Sequence, residues 1–470
     1  MSTYSEVERE VLSRIKPRID EYERLLSVYK LVENTISGVM VERGIKAEVA
    51  LQGSVAHDTW LSGDRDLDVF VLFPSTWSRE ELESRGFPLL LEAASRIGRY
   101  ELRYAEHPYV HVKVGDVEVD IVPGLRLEDP SQAKTAVDRT PFHTLYVNSK
   151  LTSEMRDQVR LLKKFMKSIG VYGAEVRVRG FSGYAAELLV IVYGNFRGVL
   201  EAASKWKPPV FVNTISEKYN TTNLAKKLRE KYPDSVMYMP DPVDPLRNVT
   251  AAVSLKSLAT LILASTCYLR NPGLEFFEEL EDPRLEDLLE ALKRRCIVIL
   301  EYNLREKLAP DVIWGEALRV SSRLESLLKV LGFRVIDRSA WTNEADRVLI
   351  SVELDYCELP PYKYFKGPCI AHDWSRIMSF IEKHYGRGFG PWLTDEGCLE
   401  SLDRRVEESV ISLLESRWSE FTVSPHLRSV KPTIKFLSED LVKRRLEDGV
   451  SKWLWSILVK TPRWMAKCTS

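Results

Sequence analysis

The sequence predicts an α+β protein of several domains, and three observations predict it. The chain has 470 residues, which is room for roughly two to four domains. It is 44% hydrophobic and 29% charged, enough apolar side chains for real cores in an ordinary globular chain. Short β-branched and aromatic runs between residues 46 and 122 stand between long stretches of helical periodicity, and strands and helices are mixed again after residue 270. The expected division is a mixed-sheet head over 1–150, a helical region over 151–270 and an α+β region over 271–470. Residues 314–390 form a small subdomain of the last, and the boundary falls at Asn271-Pro272-Gly273.

Residues 4–43 read as one or two helices, because Val7, Val11, Ile15 and Ile19 recur at helical spacing and Pro17 interrupts them. A strand at 46–52 follows Gly44, and Val55–Leu61 can start a helix. A tight turn at Gly63 leads into the strand Asp66–Phe73. Residues 79–98 have a helical pattern. Tyr109–Val114 and Val117–Val122 read as strands joined by a Gly115-Asp116 hairpin turn. Residues 152–169 are the clearest amphipathic helix, with Met155, Val159, Leu162, Met166 and Ile169 on one stripe, Thr152 capping the start and Gly170 the end. A basic helix over Asn223–Lys231 and an apolar helix over 249–269 complete the helical region. Beyond the boundary the pattern gives a helix over 314–331, strands around 333–337 and 347–355, a helix ending at Tyr385 and a helical region over 401–418.

Several classes are set aside. No apolar run reaches the roughly 18 residues of a membrane span, and the polar, acidic stretch Met1–Glu6 lacks the apolar core of a signal peptide. A cytoplasmic protein without a membrane partner is expected. The six cysteines show no Cys-x-x-Cys pair, so they are expected to be small buried hydrophobes and not zinc ligands. A net charge of −1 argues against a general basic coat, so an RNA partner needs positive charge gathered on one face. The basic and aromatic stretch Lys435, Lys443, Arg444, Arg445, Lys452, Trp453, Trp455, Lys460, Arg463 and Trp464 offers cations for phosphates and rings for stacking.

The chemistry concentrates in 51–70. Strand alternation puts Asp66 and Asp68 on one face and Leu67 and Val69 on the other. Two neighbouring carboxylates repel unless a cation lies between them, and with a phosphate nearby they form the protein half of a magnesium site. Gly53 allows close backbone approach, and the amides of the following helical turn suit a phosphate. In the hairpin, Glu118 and Asp120 share the polar face, so a third carboxylate can join from another strand. A solvated strand face would give the same alternation.

Gly53-Ser54, about ten intervening residues and then Asp66-Leu67-Asp68 resemble the nucleotidyltransferase superfamily that includes DNA polymerase β. The text Gly53–Leu61, with Val119-Asp120-Ile121-Val122-Pro123 and Arg177–Leu189, is similar to the archaeal (class I) CCA-adding enzymes, the tRNA nucleotidyltransferases. The resemblance implies a polymerase β-like head, with Asp66, Asp68 and Asp120 holding two Mg2+ ions. It implies Gly53, Ser54, His57, His107, His143, Lys163, Tyr172 and Arg247 around CTP or ATP. It further implies a tRNA bound by its acceptor end and upper stem-loop, and it is compatible with a homodimer. One position departs: the family usually has lysine or arginine where this chain has His57, a shorter side chain only partly protonated near neutrality. Two other readings stay open, a poly(A) polymerase or oligoadenylate synthetase-like transferase, and a non-catalytic RNA-binding protein on the same fold.

Overall fold

A computed structural model describes residues 5–104, 108–133, 135–215, 221–278, 283–447 and 449–469. The chain forms two compact units, Met1–Glu279 with Pro462–Ser470, and Leu280–Thr461.

In the first unit, helix α1 (Glu6–Ile15) ends before Pro17 and α2 (Ile19–Glu42) begins after it, where a proline cannot continue a helix. Five strands then make one mixed sheet: β1 (Glu48–Gln52), β2 (Asp66–Pro74), β3 (Tyr100–Tyr104), β4 (Pro108–Val114) and β5 (Val117–Arg126), in the order β1-β2-β5-β4-β3. The pair β2–β5 is parallel and the other pairs are antiparallel. Leu67, Val69, Val71 and Phe73 of β2 and Val117, Val119 and Ile121 of β5 are buried with Val32, Ile36 and Val39 of α2 and Leu90, Ala93 and Ala94 of helix Phe87–Ile97. With one face spent on that core, the alternate residues Asp66, Asp68 and Asp120 fall on the other.

Two elements of the 1–150 head escape the sequence reading. The edge strand β3 carries Glu101 and Arg103 and has no clean apolar alternation. Helix Ala136–Lys150 holds Pro141 in its interior, which masks it, although Thr135 and Asp138 form a capping box that starts it. The expected single helix over 79–98 is broken by a π-turn at Leu82–Gly86, where a side chain on Gly86 would press on the Phe73 ring.

The helical layer has its own core. Helix Ser153–Ser168 is capped by Thr152 as expected, and its Val159, Leu162, Phe165 and Met166 are fully buried. Gly183–Tyr193, Phe196–Ala203 and Leu255–Arg270 pack into the same cluster, with Phe276, Phe277 and Trp464. A buried polar node ties this layer to the segment after β1. The Glu187 carboxylate accepts from Thr59 Oγ1, meets His57 Nδ1 at 3.0 Å and lies 3.5 Å from Lys163 Nζ. Lys163 also donates to Thr59 O and Oγ1 at 3.1 and 2.8 Å. Burial works against ionising Glu187, yet the Lys163 ammonium, His57 and the Thr59 hydroxyl outweigh it and hold its pKa at about 2. Burial pulls Lys163 below the ordinary lysine value, and Glu187 opposes that pull.

The second unit holds a four-stranded sheet in the order 433–436, 296–303, 347–354, 335–342, accompanied by helix Pro310–Leu331. A three-stranded sheet of Tyr362–Cys369, Cys398–Arg404 and Gly388–Leu393 is accompanied by helix Trp374–His384. The reading of 401–418 as helical needs correction: the strand runs to Arg404, and helix starts only at Val410. Ser401 and Asp403 alternate inward there, Asp403 meeting His384 Nδ1 at 2.7 Å, a polar alternation that does not look like a strand in the sequence.

The cysteine reading is also corrected. All six pair, as Cys267–Cys468, Cys296–Cys357 and Cys369–Cys398. None of these pairs is close in sequence, so spacing could not reveal them. Part of the basic and aromatic stretch is structural. Trp453 and Trp464 are buried, Arg445 is buried against Glu301, and Lys460 pairs with Asp337 and Glu353. Lys435, Lys443, Arg444 and Lys452 stay exposed. Among the described residues no helix is long and apolar enough to cross a membrane.

The Glu187 node makes acid stability predictable. A carboxylate held near 2 when folded, against 4.5 when free, stabilises the fold fully above about pH 4.5 and loses that contribution as pH falls toward 2. The contribution is on the order of 3 kcal/mol. Urea unfolding from pH 6 to 2.5 should therefore show a flatter pH dependence for Glu187→Gln than for the parent. Parallel curves would remove Glu187 from the stabilising network.

Candidate active site

The carboxylate set is built by strand register. The parallel pairing of β2 and β5 sets Asp66 opposite Glu118 and Asp68 opposite Asp120. Like charges are thus brought side by side. Burial, then Asp120 and Asp66, push the Asp68 carboxyl up to about 6. Asp66 is raised as well, by burial and then by Asp64, Glu118 and Asp120. Asp120 has a partner that the sequence reading did not single out: His111 of β4 stands opposite it in register, and its Nδ1 lies 2.7 Å from Asp120 Oδ1. An apolar-polar alternation in Tyr109–Val114 carries that signal, since it puts His111 on the polar face of the sheet.

The turn after β1 packs directly on this set. Gln52, the last residue of β1, pairs with Asp68. Gly53 has φ +68°, and a Cβ there would collide with the Asp68 carboxylate. Only glycine meets both conditions, a left-handed backbone and a carboxylate against the α-carbon. Gly53–Ala56 form one helical turn whose leading residues are Gly53 and Ser54.

The remaining expected residues divide into three groups. His57 and Lys163 lie in the Glu187 node behind the turn, 5% and 2% exposed. His57 Nε2 meets Thr144 Oγ1 at 3.0 Å, and Arg156 donates to His57 O at 2.9 Å. Their polar atoms are engaged by Glu187, Thr59 and Thr144, so in this geometry they hold the turn. Tyr172 stands beside Lys163, its hydroxyl and the Lys163 Nζ both facing Gly183. Burial raises the Tyr172 phenol above its ordinary value. His143 and Arg247 form the second group, gathered on one carboxylate, Asp241. His143 Nε2 and Arg247 NH1 each lie 2.8 Å from Asp241 Oδ2, and Tyr184 donates to Oδ1 at 3.1 Å. His143 and Thr144 are neighbours on helix Ala136–Lys150, which joins this group to the node around His57. His107, the third, lies outside the described residues.

The donor set fits a hard divalent cation. Asp66, Asp68 and Asp120 offer carboxylate oxygens alone, the ligands that Mg2+ prefers, and among the described residues neither Asp66 nor Asp68 forms an ion pair. After burial, the neighbouring charges of Asp120 and Asp66 raise Asp68, and such an ion would neutralise them. Among the described residues no three His, Cys, Asp or Glu side chains gather into a group that could hold a metal ion, Asp66, Asp68 and Asp120 included.

Known proteins are similar to this chain along nearly its whole length. Residues 34–143 match the model of a nucleotidyltransferase domain, 157–278 that of a tRNA nucleotidyltransferase second domain, and 293–431 that of a CCA-adding enzyme C-terminal domain. The CCA-adding enzyme of Saccharolobus shibatae is 39% identical over 459 residues, 98% of this chain and 100% of its own. That of Sulfurisphaera tokodaii is 38% identical over 462 residues, 98% and 99% of the two chains. The structure of a cytoplasmic RNA terminal U-transferase aligns with a TM-score of 0.47 at 15% identity, covering 59% of this chain and all of that one. With a nucleotidyltransferase head, both later domains matched and more than a third of its residues shared across nearly the whole length, the chain belongs to the family of CCA-adding enzymes, the tRNA nucleotidyltransferases.

Proposed function

We propose that this chain adds C, C and A to the 3′ end of tRNA, from CTP and ATP and without a nucleic-acid template, releasing pyrophosphate. The observation that carries the reading is the register pairing of Asp68 with Asp120, with Gly53 pressed against Asp68. Asp66, Asp68 and Asp120 would hold two Mg2+ ions, which when bound lower the pKa of the attacking 3′-hydroxyl and offset charge on the departing pyrophosphate. Ser54 and the amides of the turn face the phosphates, as a helical start does for anions. Arg247, with a side chain 32% exposed, and His143 supply further donors to the nucleotide. Glu187, His57 and Lys163 act from behind by keeping the turn against β2. Transfer of this kind depends on placement and charge compensation and needs no covalent help from the protein. The exposed cations Lys435, Lys443, Arg444 and Lys452 are assigned to the tRNA backbone. The same reading takes the protein to be cytoplasmic and includes a homodimer, with sedimentation as the check on the latter.

One assay tests the reading: purified protein, Mg2+, tRNA lacking its 3′ terminus, and labelled CTP and ATP supplied separately and together. Addition of two C and one A, then arrest, is expected. A long homopolymer tail would point to a poly(A) polymerase, and no addition to a binding protein. Asp68→Asn should lower addition about a thousandfold or more, since it removes charge stabilisation worth several kcal/mol. Its tRNA affinity should stay within about threefold, and comparable activity would refute the carboxylate assignment.

Gly53→Ala is the second test. The added methyl meets a left-handed backbone costing about 1–2 kcal/mol and forces Asp68 to move. The turnover rate should fall about tenfold or more with tRNA binding kept. An unchanged rate would mean that the turn does not register on Asp68.

A further inference from the structure

We infer that Asp241 is a positioning residue for the incoming nucleoside triphosphate, fixing His143 and Arg247 as one anion-binding unit; the inference rests on the function proposed above. Asp241 is fully buried, with 0% exposure. It accepts from His143 Nε2 and Arg247 NH1 at 2.8 Å, from Tyr184 Oη at 3.1 Å and from the Val243 amide at 2.9 Å. Its own amide donates to Arg247 O at 3.0 Å, which closes the loop 241–247 on itself.

These donors come from three separate places: helix Ala136–Lys150, helix Gly183–Tyr193 and the proline-bearing loop. No other carboxylate joins them within hydrogen-bonding distance among the described residues. His143 also stacks on Tyr184, with ring centroids 4.3 Å apart, so the imidazole is held in its plane as well as at its edge. The partners keep Asp241 ionised, at a pKa of about 2 despite its burial. An ionised Asp241 accepts a hydrogen bond from His143 Nε2–H and leaves Nδ1 as the ring nitrogen open to a ligand. Arg247 spends one guanidinium nitrogen on Asp241. Among the described residues its other two form no hydrogen bond or ion pair, and the side chain is 32% exposed. A guanidinium anchored at one corner and free along its other edge is preorganised for an anion, and phosphate oxygens match that fork.

A loop staple with no part in nucleotide binding would give the same bonds, so the test separates binding from stability. Nucleotide KM, tRNA KM and equilibrium binding of ATP without tRNA are measured for the parent, Asp241→Asn, Arg247→Ala and the double variant. Asp241→Asn should raise nucleotide KM and weaken ATP binding about ten- to hundredfold, with tRNA KM within about threefold. The double variant should be weaker than Arg247→Ala only by the share Asp241 carries through His143, well short of the product of the two single penalties, because the rest of its effect passes through the Arg247 side chain. Unchanged nucleotide affinity in Asp241→Asn, or penalties that multiply in the double variant, would overturn the assignment. Should Asp241→Asn not fold, Tyr184→Phe removes one anchoring bond and keeps every charge. It should raise nucleotide KM about two- to fivefold, and no change would overturn the assignment equally. A parent that binds ATP but adds nothing sinks the transfer reaction alone, since the binding series still reads Asp241.

Discussion

Crowding of like charge is the constraint on which the rest of the first unit depends. Two parallel strands in register place Asp68 directly across from Asp120, and one face of each strand is committed to an apolar core. The carboxylates cannot turn away without exposing Val69, Val119 or Ile121, because a shift of one residue exchanges the two faces. The fold therefore spends hydrophobic burial on keeping acids together. Asp68 is raised by its burial first and then by Asp120 and Asp66 beside it.

Around this set the chain relies on buried carboxylates of the opposite character. Glu187 and Asp241 are both held well below their ordinary values by partners that outweigh burial. Each sits where separate elements meet: Glu187 joins the turn after β1 to two helices, and Asp241 joins two helices to a loop. The site thus has two kinds of acid. In one kind, Asp66 and Asp68 form no ion pair among the described residues and Asp120 meets only His111, and the other kind is saturated with donors and shapes what surrounds it. Replacing a saturated carboxylate leaves its donors without a counter-charge, so such residues matter to geometry without touching substrate.

Much of the site was legible in the sequence because its chemistry is written in short contiguous text. Gly53-Ser54, Asp66-Leu67-Asp68 and Val119-Asp120-Ile121 each declare a turn or a strand face by their own alternation. What escaped depends on contacts across the chain. His111 is meaningful only through its register with Asp120, and Glu187 only through residues 24 and 130 positions away. Lys163 follows Leu162 of the apolar stripe, and a helical wheel has no means of showing that Thr59 and Glu187 close over it. Pro141 hid a helix, and polar inward residues hid the strand at 398–404. The paired cysteines were invisible for the same reason, their partners lying 29 to 201 residues apart.

The bond between Cys267 and Cys468 has a consequence for how the chain is made. The first unit is completed by residues 462–470: Trp464 stacks on Phe276 at 5.9 Å, Lys467 meets Glu275 at 3.3 Å, and the disulfide closes beside them. A polypeptide leaving the ribosome at about 5–20 residues per second must therefore wait roughly 10–40 s, while 201 residues emerge, before that corner can be sealed. Through that interval Phe276 has Phe165 and Tyr268 against it but lacks Trp464, and the whole intervening unit is translated as an insertion into an unfinished neighbour.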